Sequence, residues 1–319
     1  VTLTNDSGGL EPQTDFDGAA LEFDFPGLRI GVAEYDEGPT GCTVIRFAEA
    51  ASLAVDVRGG SPGVLGAHYP VADAICLAGG SAYGLEAATG VAAELLKERE
   101  YVAEWTRIPL VAGAIIFDFR RGNSIYPDKE LGRAAARTAR EGWFPLGARG
   151  AGRSASVGKF LDFEGLEDGG QGAAFRRIGE TRVAVFTVVN SVGAIVDREG
   201  NVVRGHRAED GSRRPLLPAL EQQLAEHAPP GNTTLTVVVT NRALDQRSLT
   251  QLGRQVHASM ARAIQPFHAL SDGDVLFAAS TAEVEDESIS SDALGVVASE
   301  LAWDAVLAGV GDQVDPSRS

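Results

Sequence analysis

The stretch "HAPPGNTTLTVVVTN" (227–241) sets Asn232-Thr233-Thr234 between a Pro229-Pro230-Gly231 loop and a run of β-branched residues. A threonine hydroxyl is a weak nucleophile unless a base lies beside it, and one available base is the residue's own α-amine. An ordinary α-amine titrates at about 7.7–8.0, which leaves a useful neutral fraction near pH 7. That amine exists only once the preceding peptide bond has been broken. Asn232-Thr233 therefore reads as a self-cleavage site in which the loop gives room for the cut and the strand holds the new terminus in the core. Two plainer readings stand beside it: a turn entering a strand, and an Asn-x-Thr glycosylation sequon, which matters only in a secretory pathway.

Other chemistry is less well marked. His68, His206, His227, His257 and His268 show no H-x-x-x-H or H-E-x-x-H spacing, and the "DGD" at 272–274 lacks the remaining ligands of a calcium loop. No metal or other cofactor is expected. A Ser-His-Asp triad is compatible with the composition, but nothing marks one serine above the rest. The "AGGSAYG" turn (78–84) is neither G-x-G-x-x-G nor G-x-S-x-G; it reads as a close-packed strand-to-helix turn with a backbone N–H nest. Net charge is -16, from 44 acidic against 28 basic residues, and such a field repels phosphate backbones, so no nucleic acid is expected as a partner. No apolar run approaches the ~18 residues of a membrane span, and the acidic start has no signal-peptide layout. Cys42 and Cys76 sit in apolar runs and read as reduced core residues, which points to the cytoplasm.

The elements that must position these residues follow from periodicity. Residues 1–19 read as a flexible leader. Strands are expected in "LEFDFPGLRIGVAEY" and "CTVIRF", then in "ADAICLAGG" running into a helix whose face is Leu85, Ala88, Val91, Ala92 and Leu95. "PLVAGAIIFDF" is a further buried strand, and 129–141 a helix stopped near Gly142. "GARGAGRSASVGK" is a Gly/Ser-rich region, and "EDGGQGAAF" a second small-residue cluster. "TRVAVFTVVN" is a strand, and "GAIVDREGNVVRG" a hairpin turning at Glu199-Gly200-Asn201. A short helix in "PALEQQLAEH", strand 234–240, helix 245–264, strand 274–279 and helix 291–307 complete a mixed α/β body with helices over sheets.

Several stretches together resemble a known family: "YPDKELGRAA", "GQGAAFRR", "NSVGAIVDREGNVVRG", "GNTTLTVVVTN", "LGRQVHASMARAIQPFH" and "SDGDVLFAAST". They look like the 6-aminohexanoate-oligomer endohydrolases, or nylon hydrolases, within the self-cleaving L-aminopeptidase/D-esterase and β-aminopeptidase group. The likeness runs from residue 24 to 309. It implies an αββα sandwich with the layers of N-terminal-nucleophile hydrolases but different connectivity, forming one hydrolase domain over 20–319. It also implies a cut between Asn232 and Thr233 into pieces 1–232 and 233–319, assembled as a tetramer of cleaved pairs, with linear amide oligomers or peptides as substrates.

Carried over position by position, the resemblance makes Thr233 the nucleophile and Asn190 the donor to the oxyanion. Lys159 becomes the cation that keeps the Thr amine neutral, Asp272 and Asp274 an acidic pair anchoring it and the threonine, and Tyr126 a phenol donor to the substrate. Taken alone, Asn190 would serve a strand-end turn, Lys159 a solvated loop, "SDGD" a hairpin and Tyr126 a surface Tyr-Pro turn. The aminopeptidase branch typically has Ser as its new N-terminus and Ser-x-Glu where this chain has Asp272-Gly273-Asp274, so both positions side with linear amide oligomers. The alternatives are a β-peptidyl or ordinary aminopeptidase and, from another class, a non-catalytic binding protein that stays uncut.

Overall fold

The computed structural model describes residues 3–119, 122, 124–161, 165–214, 216–222, 232–286 and 288–311. Its first half contains strands β1 (Leu28–Tyr35), β2 (Thr40–Val57) and β3 (Val71–Ala78), helix α1 (Leu85–Glu98), strand β4 (Val111–Ile115) and helix α2 (Lys129–Arg137). The second contains β5 (Gly170–Ile178), β6 (Thr181–Asn190), β7 (Thr233–Arg242), helix α3 (Gln246–Ser259), β8 (Val275–Val284) and helix α4 (Ser291–Gly309). The strands form one hydrogen-bonded ladder folded into two facing sheets.

Strand β2 makes the fold. Its first half pairs antiparallel with β1 and β3, while Ser52–Val57 pairs antiparallel with β8. Its register against β3 shifts between Arg46 and Ala51, where it passes from one sheet to the other. Side chains alternate along each strand, so each sheet offers two apolar faces. Leu28, Ile30, Ile45, Ile75 and Leu77 of the first sheet meet Phe186, Val188, Leu235, Val237 and Phe277 of the second in a fully buried inter-sheet core. The opposite faces are covered by helices: Cys42, Val44 and Cys76 pack with Ala88, Val91 and Leu131 of α1 and α2, and Val183, Val185, Val238 and Leu276 with Leu249, Val256, Leu294 and Leu301 of α3 and α4. At about 1.5–3 kcal/mol for each fully buried large side chain, these three cores hold the four layers together. The αββα sandwich is thus observed.

Several elements depart from the pattern reading. Strand β5 occupies "GQGAAFRRI", whose small-residue cluster the pattern assigns to no element. Its glycines are there for close approach: a Cβ on Gly172 would lie 1.9 Å from the Ala305 carbonyl oxygen of α4. Helix α2 stops at Arg137 instead of running to 141, because Arg140 and Glu141 pair with Ile30 and Arg29 of β1. Helix α3 ends at Ser259, followed by a 3-10 turn over Met260–Arg262. The hairpin of 194–204 forms as expected, pairing Ala194–Val196 with Val202–Arg204. Within the expected leader, Gln13 bridges to Glu34, Leu10 packs against the α1/α2 core, and the Asn5 side chain hydrogen-bonds the Tyr126 backbone. The Pro229-Pro230-Gly231 loop and the end of "PALEQQLAEH" lie outside the described residues. Cys42 and Cys76 are free and buried. Among the described residues no helix is long and apolar enough to cross a membrane.

Candidate active site

Thr233 is the first residue of β7, one position earlier than periodicity alone suggests, and is almost fully buried. Its Cα pairs with that of Asn190, the last residue of antiparallel β6, so the two side chains meet at the end of a ladder. Asn232, just before it, makes a parallel bridge with Asp272. The Thr233 hydroxyl donates to the carbonyl oxygen of Asn232, the acyl group it would have to attack. A second donor reaches the same oxygen, the backbone N–H of Gly273 at 2.7 Å. A carbonyl held by a fixed N–H is polarised toward an oxyanion without reorganisation.

The other expected residues surround this pair. Asn190 Oδ1 accepts from the Ser156 amide at 3.0 Å and from Lys159 Nζ at 3.1 Å, while its Nδ2 donates to the Phe117 carbonyl at 3.2 Å. Lys159 is 1 % exposed, and its ammonium also donates to the Asn190 backbone carbonyl at 2.8 Å. A buried ammonium is tolerable only with such partners and a counter-charge. Asp272 lies near enough for attraction to Lys159 to be among the influences that lower its pKa, an influence outweighed by burial and by Asp274.

Asp272 and Asp274 are both fully buried. Asp272 accepts from the Val192 amide at 3.2 Å and from the Ala269 amide at 3.3 Å. Burial, then the negative charge of Asp274, push its carboxyl up to about 7 against the pull of those N–H groups and Lys159. Asp274 Oδ1 accepts the Thr234 amide at 2.7 Å, so it grips the residue after the nucleophile. Gly273 lies between them because nothing larger fits: an added Cβ would be 2.6 Å from Thr233 Oγ and 2.8 Å from the Ser61 carbonyl oxygen.

Thr233, Asn190, Lys159, Asp272 and Asp274 are thus brought together. Among the described residues no hydrogen bond joins Tyr126 to this group. Its ring packs on Tyr83 at 5.6 Å, and burial followed by the charge of Glu86 raises its phenol pKa. A file of rings, Phe117 to Phe119 to Tyr83 to Tyr126, leads from the Asn190 amide to this phenol. Tyr83 is 65 % exposed, so the file ends at the surface. The N–H nest expected at "AGGSAYG" is filled from within: the Gly80 amide donates to Asp118 Oδ1 at 2.8 Å. Pattern reasoning passed over Gly273 and His268, whose backbone and ring nitrogens both hold Asp274 Oδ2. A glycine wedged between two acids was the available signal for the first; nothing in the spacing marked the second.

Comparison with known proteins assigns the family. Residues 23–314 fit the profile of peptidase family S58. The chain belongs to peptidase family S58. Among its S58 relatives, the 6-aminohexanoate-oligomer endohydrolase of Agromyces sp. (strain KY5R) is 47% identical over 95% of this chain and 89% of its own length. The protein of the same name from Paenarthrobacter ureafaciens gives the same identity and coverage. In fold, the chain is similar to the L-aminopeptidase D-Ala-esterase/amidase of Ochrobactrum anthropi, described as a variant of the Ntn hydrolase fold. There the TM-score is 0.63 at 14% identity, over 93% of this chain and 88% of that one.

Proposed function

We propose that this protein is a self-processing amide hydrolase of the S58 family that cleaves 6-aminohexanoate oligomers through an N-terminal threonine. The observation that carries the proposal is the Thr233 hydroxyl resting on the Asn232 carbonyl, beneath the Gly273 N–H and opposite Asn190 and Lys159.

In the precursor, Thr233 Oγ attacks the Asn232 carbonyl carbon while the Gly273 N–H supports the developing oxyanion. The C–N bond breaks, the hydroxyl proton ends on the departing amine, and an ester joins Asn232 to Thr233 Oγ. Water hydrolyses that ester to an Asn232 carboxylate and a Thr233 with free hydroxyl and amine. Asp274 keeps the new terminus in register by its hold on the Thr234 amide. Lys159 favours the neutral form of the new amine, the form that accepts a proton.

In the mature enzyme the same hydroxyl attacks a substrate amide and the Thr233 amine takes its proton. The second N–H of the Asn190 amide stabilises the oxyanion, a contribution of about 3–4 kcal/mol per donor. Asp272, with its carboxyl near 7, is poised to exchange protons at neutral pH. Tyr126 approaches the substrate or its leaving group from the aromatic file. Water then resolves the acyl-enzyme. No cofactor takes part. The working form is a cytoplasmic tetramer of cleaved pairs.

Aminopeptidase activity is the second reading, favoured by the fold shared with the Ochrobactrum enzyme. A panel of 6-aminohexanoate oligomers and short peptides separates the two. Denaturing mass spectrometry tests processing: wild type should give two pieces split after Asn232, and Thr233→Ala one intact chain. Amide hydrolysis by uncut wild type would refute the N-terminal-threonine mechanism.

A further inference from the structure

Asp274 does not touch the Thr233 hydroxyl. It acts through the Thr234 amide on Oδ1, so its own orientation decides where the start of β7 lies. The other oxygen, Oδ2, is held among the described residues by His268, which donates its backbone N–H at 3.0 Å and its ring Nδ1–H at 3.1 Å. A carboxylate only accepts, so the ring nitrogen facing it carries the proton.

His268 adopts φ +61°, in the left-handed region that few non-glycine residues enter. Such strain persists where the surroundings hold it, and it clusters at functional sites. The holding groups are visible. Phe267 lies against the His268 ring with centroids 3.9 Å apart, and His257 meets it edge-on at 4.4 Å and 83°. His257 is itself anchored: it is 1 % exposed, its Nδ1 bonds Asp56 Oδ2 at 2.9 Å, and Asp56 is also held by Arg58 Nε at 2.6 Å. Burial lowers the His257 pKa, so it supports its neighbour as a neutral ring near pH 7. Neither ring's Nε2 has a hydrogen-bond partner among the described residues, so Nδ1 alone fixes each ring by hydrogen bonding.

We infer that His268 is a positioning residue of this site, fixing the Asp274 carboxylate and, through the Thr234 amide, the place of the Thr233 hydroxyl against its target carbonyl. The inference rests on Thr233 being the nucleophile. It adds a chain of control, Asp56 to His257 to His268 to Asp274 to Thr234, that starts on β2 where it meets the buried face of α3 and ends beside the nucleophile.

The test uses two substitutions in the full chain. His268→Asn keeps an N–H donor near the Nδ1 position and tolerates positive φ. His268→Gly relieves the backbone strain and removes the ring with its Nδ1 donor, leaving only the backbone N–H on Asp274. Processing is timed on denaturing gels after cell-free synthesis, kcat and KM are measured on a linear 6-aminohexanoate oligomer, and Tm is read on a Thr233→Ala background. A misplacement near 1 Å costs on the order of 100-fold, so the Gly variant should process and turn over at least about tenfold more slowly than the Asn variant, in kcat more than in KM. That ratio supports positioning whichever way Tm moves, because a structural role alone would favour glycine here. A ratio near one, with wild type cleaving normally, would overturn the role of His268 alone. An intact wild type would overturn the nucleophile assignment and this inference with it.

Discussion

Asp272→Asn offers a test of the buried acidic pair through stability rather than rate. It is best made on a Thr233→Ala background, so that every chain unfolds uncut. In the folded protein the Asp272 carboxyl is raised from 3.8 to about 7, by burial first and by Asp274 second. Between those two values the folded state keeps a proton that the unfolded state has released. Stability associated with this group is therefore full below about pH 4 and falls as pH rises toward 7. A shift of roughly 3 units corresponds to about 4 kcal/mol by linkage. Asparagine is neutral throughout and removes that fall. It also turns an NH2 toward one of the Val192 and Ala269 amides, leaving a buried N–H unmatched at about 1–3 kcal/mol, independent of pH. That cost shifts the comparison equally at every pH, so the change in offset between the proteins reports the carboxyl alone. Urea unfolding at about pH 4.5 and about pH 8 should show the variant gaining roughly 3–4 kcal/mol on its parent. Parallel stability curves over that range would refute the account of Asp272 as a carboxyl held against its own charge.

Two further outcomes follow from the same geometry. Gly273→Ala would press a methyl to 2.6 Å from Thr233 Oγ; self-cleavage timed by mass spectrometry should slow by about 100-fold, and the fold should lose about 1–3 kcal/mol. Tyr126→Phe, which takes no donor from the Asn232 carbonyl, should leave processing unchanged while lowering kcat on oligomers by about 10-fold or more, as expected when a proton donor is lost.

What the sequence disclosed depended on how local the cause was. Strands β6 and β7 were legible because "TRVAVFTVVN" and "TTLTVVVTN" carry β-branched residues on both faces, as a strand buried between a sheet and helices must. Strand β5 was hidden because contact with α4 demands glycine at 172, and glycine reads as loop. The end of α2 was hidden because the pairing of Arg140 and Glu141 with β1 is tertiary. At the site, resemblance supplied Asn190 and Lys159, whose own surroundings in sequence suggest a turn and a solvated loop; only the fold carries them to the head of β7. The grip of His268 on Asp274 could not be read at all, since it depends on a left-handed backbone and a ring clamp from α3.

The order of strands has a consequence for how such a molecule is made. β7 and β8 lie side by side, flanked by β6 on one side and the end of β2 on the other. A cut after Asn232 would place the inner pair in the C-terminal piece and both flanking strands in the N-terminal piece. Neither piece could then leave without unzipping two ladders. Made separately, the longer piece would present two raw strand edges, a template for aggregation. If the chain is cut there, folding must come first: the intact chain would be its own assembly jig, and the bond after Asn232 one that the finished body no longer needs.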